Sequence, residues 1–197
     1  MNKHLRSTDY LLFEVRDRIA RITLNRPEAR NALFPKMLGE LRDALLEADD
    51  LNDVNVVILS GAGKDFCAGY DLKGAYAGFS DGKAPWDESK YRTTNKTIDD
   101  DIWNMEQTGQ LAMTLFDMHK PVIAKVHGNC LAGGTDIALL CDMVIAAEDA
   151  KIGFPAARAN GTPPNQMWLY HVGPQWTKRI LMTGDNLRGH EIGRAHV

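Results

Sequence analysis

The sequence is short of most features that assign a chemistry at a glance. It has three cysteines, Cys67, Cys130 and Cys141, and no Cys-x-x-Cys pair. That removes the usual zinc spacing and an even disulfide framework. Three small, buried thiols in a reducing compartment are expected instead. No apolar run approaches the roughly 20 residues needed to span a bilayer. The opening MNKHLRSTDY has no apolar stretch of the secretory kind, so a cytoplasmic protein is expected. The net charge of −3 gives no field for nucleic acid or an anionic membrane. The glycine motifs of nucleotide binding are missing too. GAGKDF (61–66) lacks the Ser or Thr and the spacing of a P-loop, and no G-x-G-x-x-G follows the first strand. There is no solenoid repeat and no low-complexity tract.

What is present is an ordinary globular composition, 44% hydrophobic and 25% charged, in a chain long enough for one cored domain. LLFEVRDRIARITLNRP reads as two short strands around Arg16-Asp17-Arg18, stopped by Pro27. FPKMLGELRDALLEADD reads as an amphipathic helix. Met37, Leu38, Leu41, Ala44, Leu45 and Ala48 share one face, and Pro35 suits the first turn. VNVVILSGAG is a continuous apolar run of strand length, as a buried parallel strand should be. Residues 74–95 are polar and aperiodic and read as a long loop, with Trp86 as a candidate cover or anchor. TIDDDIWNMEQTGQLAMTLFDMH returns to helix, KPVIAKVHG to strand, TDIALLCD to helix and MVIAAEDAKIGF to strand and turn. Two more helical patterns sit at Pro164–His171 and Pro174–Thr183. Strand–helix alternation predicts an α/β fold with parallel pairing.

Two glycine-rich turns stand out, SGAGKDFCAGYDLKG (60–74) and GNCLAGGTD (128–136). In each, a strand runs into small residues and then toward a helix. Small residues let a ligand approach the backbone. A helix start leaves N–H groups without intrahelical partners, and these favour an anion or an oxygen that becomes one. One N–H from each turn could form an oxyanion hole. Two ordinary turns, with Gly133-Gly134 serving close helix–strand packing, are the alternative. Asp136 has a similar ambiguity, since a carboxylate in a first helical turn is favoured by the helix dipole alone.

RPEARNAL, GAGKDFCAGYDL, KPVIAKVHGNCLAGGTDIALLCDMVIAAEDAKIGFP and GPQWTKRILMTGD, in that order and with similar gaps, resemble the crotonase superfamily, the enoyl-CoA hydratase/isomerase family. The likeness covers about residues 10–190. It implies a core of repeated ββα turns wound into a spiral, followed by a helical C-terminal trimerisation region that is expected to be largely missing here. It implies an acyl-CoA thioester as substrate, with coenzyme A as part of that substrate, no separate cofactor, no metal, and a homotrimer or dimer of trimers for a full-length parent. The closing IGRAHV matches what one frame of a common sequencing adapter would encode. A truncated spiral core over 1–191 and a non-native tail over 192–197 are therefore expected, a natural terminus of the same spelling being the alternative.

The resemblance also carries residues. The N–H groups of Tyr70 and Gly133 match the two oxyanion donors, and Asp136 matches the first catalytic glutamate. Asp71, Leu72 and Lys73 follow Tyr70 along the acyl-CoA path, and Ala29 and Arg30 match the stretch beside coenzyme A. Ala68, Gly69, Ala132, Gly134, Pro155 and Arg158 complete the implied substrate surroundings. The pattern is broken where a second glutamate would stand, because Ala156 and Ala157 share that position. Asp136 is one methylene shorter than glutamate. The resemblance thus implies a lyase or isomerase stabilising a thioester enolate, with a thioester or C–C hydrolase, or a non-catalytic CoA-ester binder, as alternatives. Arg158, Asn160, Thr162 and Asn165 are candidate replacements for the second carboxylate or simple turn and cap residues. Asp71 is expected to fix its loop, His127 to be structural and His119 exposed. The ring of Tyr70 is expected to shape the pocket.

Overall fold

The computed structural model describes residues 9–72 and 97–192. The chain begins with the hairpin β1 (Leu11–Arg16) and β2 (Ile19–Leu24), antiparallel in register Leu11↔Leu24 to Arg16↔Ile19. Its two-residue turn places Asp17 and Arg18 at φ 55° and 62°, the left-handed geometry that matches strand twist. Helix α1 (Pro35–Asp50) follows with Pro35 at its first position. All six apolar residues predicted for its inner face are buried.

β3 (Val56–Gly61) pairs parallel with β2, and β4 (Val122–Val126) parallel with β3. Helix α2 (Ile98–Asp117) precedes β4 and packs on α1. Thr97 caps it, its hydroxyl accepting the Asp100 N–H at 3.1 Å. After β4 come a short strand β5 (Asn129–Leu131) and a six-residue helix α3 (Gly133–Ala138). β6 (Met143–Ala146) joins β4 in parallel, and β7 (Lys151–Gly153) joins β5. The larger sheet therefore runs β1-β2-β3-β4-β6. Helix α4 (Met167–Thr183) leads to β8 (Asn186–Arg188), antiparallel to β7, and to a last turn α5 (Gly189–Ile192).

The second, smaller layer is longer than its three strands β5-β7-β8. Leu33 bridges Tyr70, and Cys67 bridges Cys130, both in parallel. The chain thus crosses the large sheet, makes a short parallel step in the small layer, and then turns into a helix. It does so through β2 and Leu33 to α1, through β4 and β5 to α3, and through β6 and β7 to a 3-10 turn at Pro155–Ala159. This is the spiral of ββα turns that the sequence resemblance implies. The core lies between the two layers and the helices. Ala20, Ile22, Leu24, Val57, Leu59, Val122 and Ala124 are fully buried at its centre.

Three local readings are corrected. The helix predicted from Thr135 starts at Gly133 and ends at Ala138. The two helical patterns after Pro164 form one element, broken at Gly173, where φ is 71° and ψ 173°. The second glycine turn contains a strand, β5. All three cysteines are buried and free, as expected. The predicted loop over 74–95 with Trp86, and Gly193–Val197 of the predicted tail, lie outside the described residues. Among the described residues no helix is long and apolar enough to cross a membrane.

Candidate active site

The first glycine turn is tied down from two sides. On one side, Ala68 N–H donates to Arg30 O (3.0 Å), Leu33 N–H to Gly69 O (2.8 Å) and Asp71 N–H to Leu33 O (2.8 Å). Arg30 therefore lies alongside Ala68. On the other side, Cys67 N–H donates to Asn129 O (3.0 Å) and Leu131 N–H to Cys67 O (2.9 Å). These bonds leave the Tyr70 N–H out of both ladders, and it has no acceptor among the described residues.

The second turn meets the first at close range. A Cβ on Gly69 would stand 3.2 Å from Leu131 O and 3.7 Å from Gly133 N. Gly133 opens α3, so its N–H has no intrahelical acceptor, and none is found elsewhere among the described residues. The two glycines do different work. Gly134 backs onto Cys67, and a Cβ there would lie 2.4 Å from Cys67 O. Gly133 faces the Tyr70 ring, and a Cβ there would lie 2.8 Å from Cδ2 and Cε2. Close packing and an open N–H are both served, one by each glycine. Ala132 turns the chain into α3 with φ 46° and ψ −116°, a conformation that costs a side-chain-bearing residue roughly 1–3 kcal/mol.

Asp136 sits three residues after Gly133, on the same side of the helix, and is 2% exposed. Neither carboxylate oxygen has a hydrogen-bond partner among the described residues. Burial pushes its carboxyl up to about 7, and the Tyr70 hydroxyl pulls in the opposite direction. Burial, followed by the charge of Asp136, raises the Tyr70 phenol above its ordinary range. At neutral pH the site therefore holds a protonated phenol against a carboxyl poised between its two states.

The other candidates separate. Asp71 pairs with Arg26, Nη1 to Oδ2 at 2.6 Å, and Arg26 also lies 5.1 Å from the Phe34 ring centre. Leu72 is exposed, and Lys73 lies outside the described residues. Pro155 opens the 3-10 turn just after β7, whose Gly153 O accepts the Ala132 N–H at 3.0 Å. Ala156 and Ala157 in that turn pack against the core. Arg158 reaches the end of α4, its Nε donating to Thr183 O (3.0 Å) and its Nη2 to Asp185 Oδ1 (3.2 Å). Asn160 ends the 3-10 turn in the left-handed region, and Asn165 accepts the N–H of Met167 at the start of α4. His127 Nε2 lies 3.1 Å from Gly63 O, and His119 Nδ1 3.0 Å from Asp49 Oδ2 at the surface. Among the described residues no group of three or more His, Cys, Asp or Glu is placed to hold a metal ion.

Sequence reasoning missed two supports. Asn31 is fully buried. Its Nδ2 donates to Ala62 O, Asp65 O and Phe66 O, and its Oδ1 accepts the Arg26 N–H. Asp65 Oδ1 accepts from both the N–H and the side-chain amide of Asn129 at the start of β5. An Asn between tight-turn residues was the one visible signal for Asn31; nothing in the sequence marked Asp65.

The family model for enoyl-CoA hydratase/isomerase matches residues 14–196. A crotonyl-CoA hydratase of Syntrophomonas wolfei is 32% identical over 189 residues, covering 93% of this chain and 65% of that protein. The crystal structure of an enoyl-CoA hydratase from Mycobacterium smegmatis superposes with a TM-score of 0.80 at 38% identity, over 95% of this chain and 64% of that one. An enoyl-CoA hydratase/isomerase from Xanthobacter autotrophicus Py2 gives 0.81 at 33%, over 96% and 65%. The chain spans 60–66% of the length of the first curated relatives it matches. With the spiral fold, the ordered motifs and these likenesses in agreement, the chain belongs to the enoyl-CoA hydratase/isomerase family.

Proposed function

We propose that this chain carries the enolate-stabilising centre of an acyl-CoA lyase or isomerase of the enoyl-CoA hydratase type. The observation that carries the reading is that the N–H groups of Tyr70 and Gly133, on two closely apposed turns, and the buried carboxyl of Asp136 all lack a hydrogen-bond partner among the described residues. A thioester oxygen held between the two N–H groups gains negative charge as the enolate forms. Asp136, half ionised near neutrality, takes a proton from carbon or returns one. The substrate is a CoA thioester with a double bond or leaving group near the α-carbon, and coenzyme A enters as part of it, with no separate cofactor. Assembly of the protein as a homotrimer or dimer of trimers, and an address in the cytoplasm, belong to the same reading.

Ala156 and Ala157 stand where the family pattern has its second carboxylate, and this favours reactions that move one proton over simple hydration. A single carboxylate can take a proton from the carbon between a thioester carbonyl and a β,γ double bond. The electron pair spreads onto the thioester oxygen, and the proton returns two carbons away.

The test supplies crotonyl-CoA and a β,γ-enoyl-CoA separately and follows the conjugated thioester absorbance, with Asp136→Ala alongside. Loss from the first substrate or gain from the second, abolished in the variant, supports the reading. Release of free CoA from a saturated thioester moves the protein to a hydrolase. Tight binding of both esters without turnover makes it a CoA-ester binder.

A further inference from the structure

The ring of Tyr70 is not a passive wall. It is 39% exposed on its outer side, and it stands over Gly133, within 2.8 Å of where a Cβ there would lie, with Asp136 three residues further along the same short helix. Among the described residues neither buried oxygen of Asp136 has a hydrogen-bond partner, and the turn at 155–159 carries Ala156 and Ala157 where the family pattern has a carboxylate. Two other ionisable groups lie around Asp136, the thiol of Cys67 from the first turn and that of Cys130 from β5. Burial keeps both protonated, Cys67 up to about 12, so neither competes for the carboxylate.

We propose that the Tyr70 hydroxyl is the positioning partner of Asp136, donating a hydrogen bond to its carboxylate and holding it toward the two backbone donors. The phenol keeps its proton throughout, so it orients the carboxylate and leaves the transfer to Asp136. The same residue serves twice, its N–H toward the thioester oxygen and its hydroxyl toward the acid/base. The second role rests on the reading of Asp136 given above.

The experiment titrates the chain labelled with 13C at the aspartate carboxyl carbon, using Asp136→Asn to assign the signal. The wild-type midpoint is expected near 7. Tyr70→Phe keeps the ring and removes the donor, so the midpoint should rise by roughly one pH unit. Tyr70→Ala removes the ring as well and admits water, so the midpoint should fall. An unchanged midpoint in Tyr70→Phe overturns the proposal, because a ring that only packs is preserved in phenylalanine. So does a rise of equal size in Tyr70→Ala, which would assign the effect to backbone disturbance. None of these signals needs turnover. A moved midpoint in a chain that converts no thioester would sink the proposed function and leave the pairing standing. Where thioester turnover is seen, the acid limb of kcat/KM in Tyr70→Phe should move up with the midpoint.

Discussion

The two glycine-rich turns each leave one N–H without an acceptor among the described residues, but they are held by different means. The first, 61–71, is held by side chains. Asn31 threads three of its carbonyls, and the Arg26 guanidinium pins Asp71 at its end. The second, 128–136, is tied at its start by the Asp65 carboxylate, which accepts two hydrogen bonds from Asn129, but its helical end is held by missing side chains and by backbone strain. Gly134 has no room for a methyl group against Cys67, and Ala132 sits where side-chain-bearing residues rarely sit. The second turn also carries the uncompensated polar group of the pair, Asp136, while the carboxylates near the first are engaged. A turn held by hydrogen bonds should yield gradually when one partner is removed. A turn held by close approach should fail when a single atom is added.

The sharpest way to break the second turn is Gly134→Ala. The added Cβ lies 2.4 Å from a backbone oxygen and 3.0 Å from Cys67 Cβ, and neither is the free end of a flexible side chain. The helix and the Cys67 strand must separate. A loss of about 4 kcal/mol is expected, at the upper end for single substitutions. Chemical denaturation measures it. A loss under about 1 kcal/mol would mean that the two turns are less tightly apposed than described.

The uncompensated carboxyl gives the second comparison. Its pKa is raised from 3.8 to about 7 on folding, first by burial. Between those values the folded chain keeps a proton that the unfolded chain has released. Stability should therefore fall as pH rises through that window, and the loss should be complete above it. Asp136→Asn lacks the titration. The stability of the wild type relative to the variant should drop by on the order of 3 kcal/mol between pH 4 and pH 8. Paired denaturation curves at the two pH values read it directly. A constant difference would place the carboxyl in water.

The sequence made the long elements legible because their periods are long enough to count. Six inner-face residues of α1 were readable from spacing alone, as were the apolar runs of β3 and β4. Strands of three residues, such as β5 and β8, have no period to read. They exist because neighbouring turns of the spiral supply their partners. The start of α3 was hidden for a related reason. Glycine is a poor helix former, and these helical positions are glycine because the Tyr70 ring at Gly133 and Cys67 at Gly134 leave no space for a side chain. The backbone donors and Asp136 came from family likeness, with glycine chemistry as support. The packing of the Tyr70 ring on Gly133 and the burial of Asn31 depend on contacts between residues 31 to 63 positions apart, which no local pattern carries.

Asn31→Ala probes the first turn and should have the smallest effect of the three. Four hydrogen bonds are lost; the Asp65 and Phe66 carbonyls stay buried while the Ala62 carbonyl and the Arg26 N–H lie half-buried within reach of water, and alanine keeps the backbone path at some strain, since φ is 56° there. About 2 kcal/mol is expected. The more informative readout is amide exchange. Ala68 and Leu33, whose N–H groups bond Arg30 O and Gly69 O, should exchange faster because the first turn loosens. Thr135 and Asp136, whose N–H groups bond Ala132 O within the second turn, should keep their protection. Faster exchange at all four would show that the turns open as one unit, and the contrast between side-chain and steric support would then describe their geometry but not their stability.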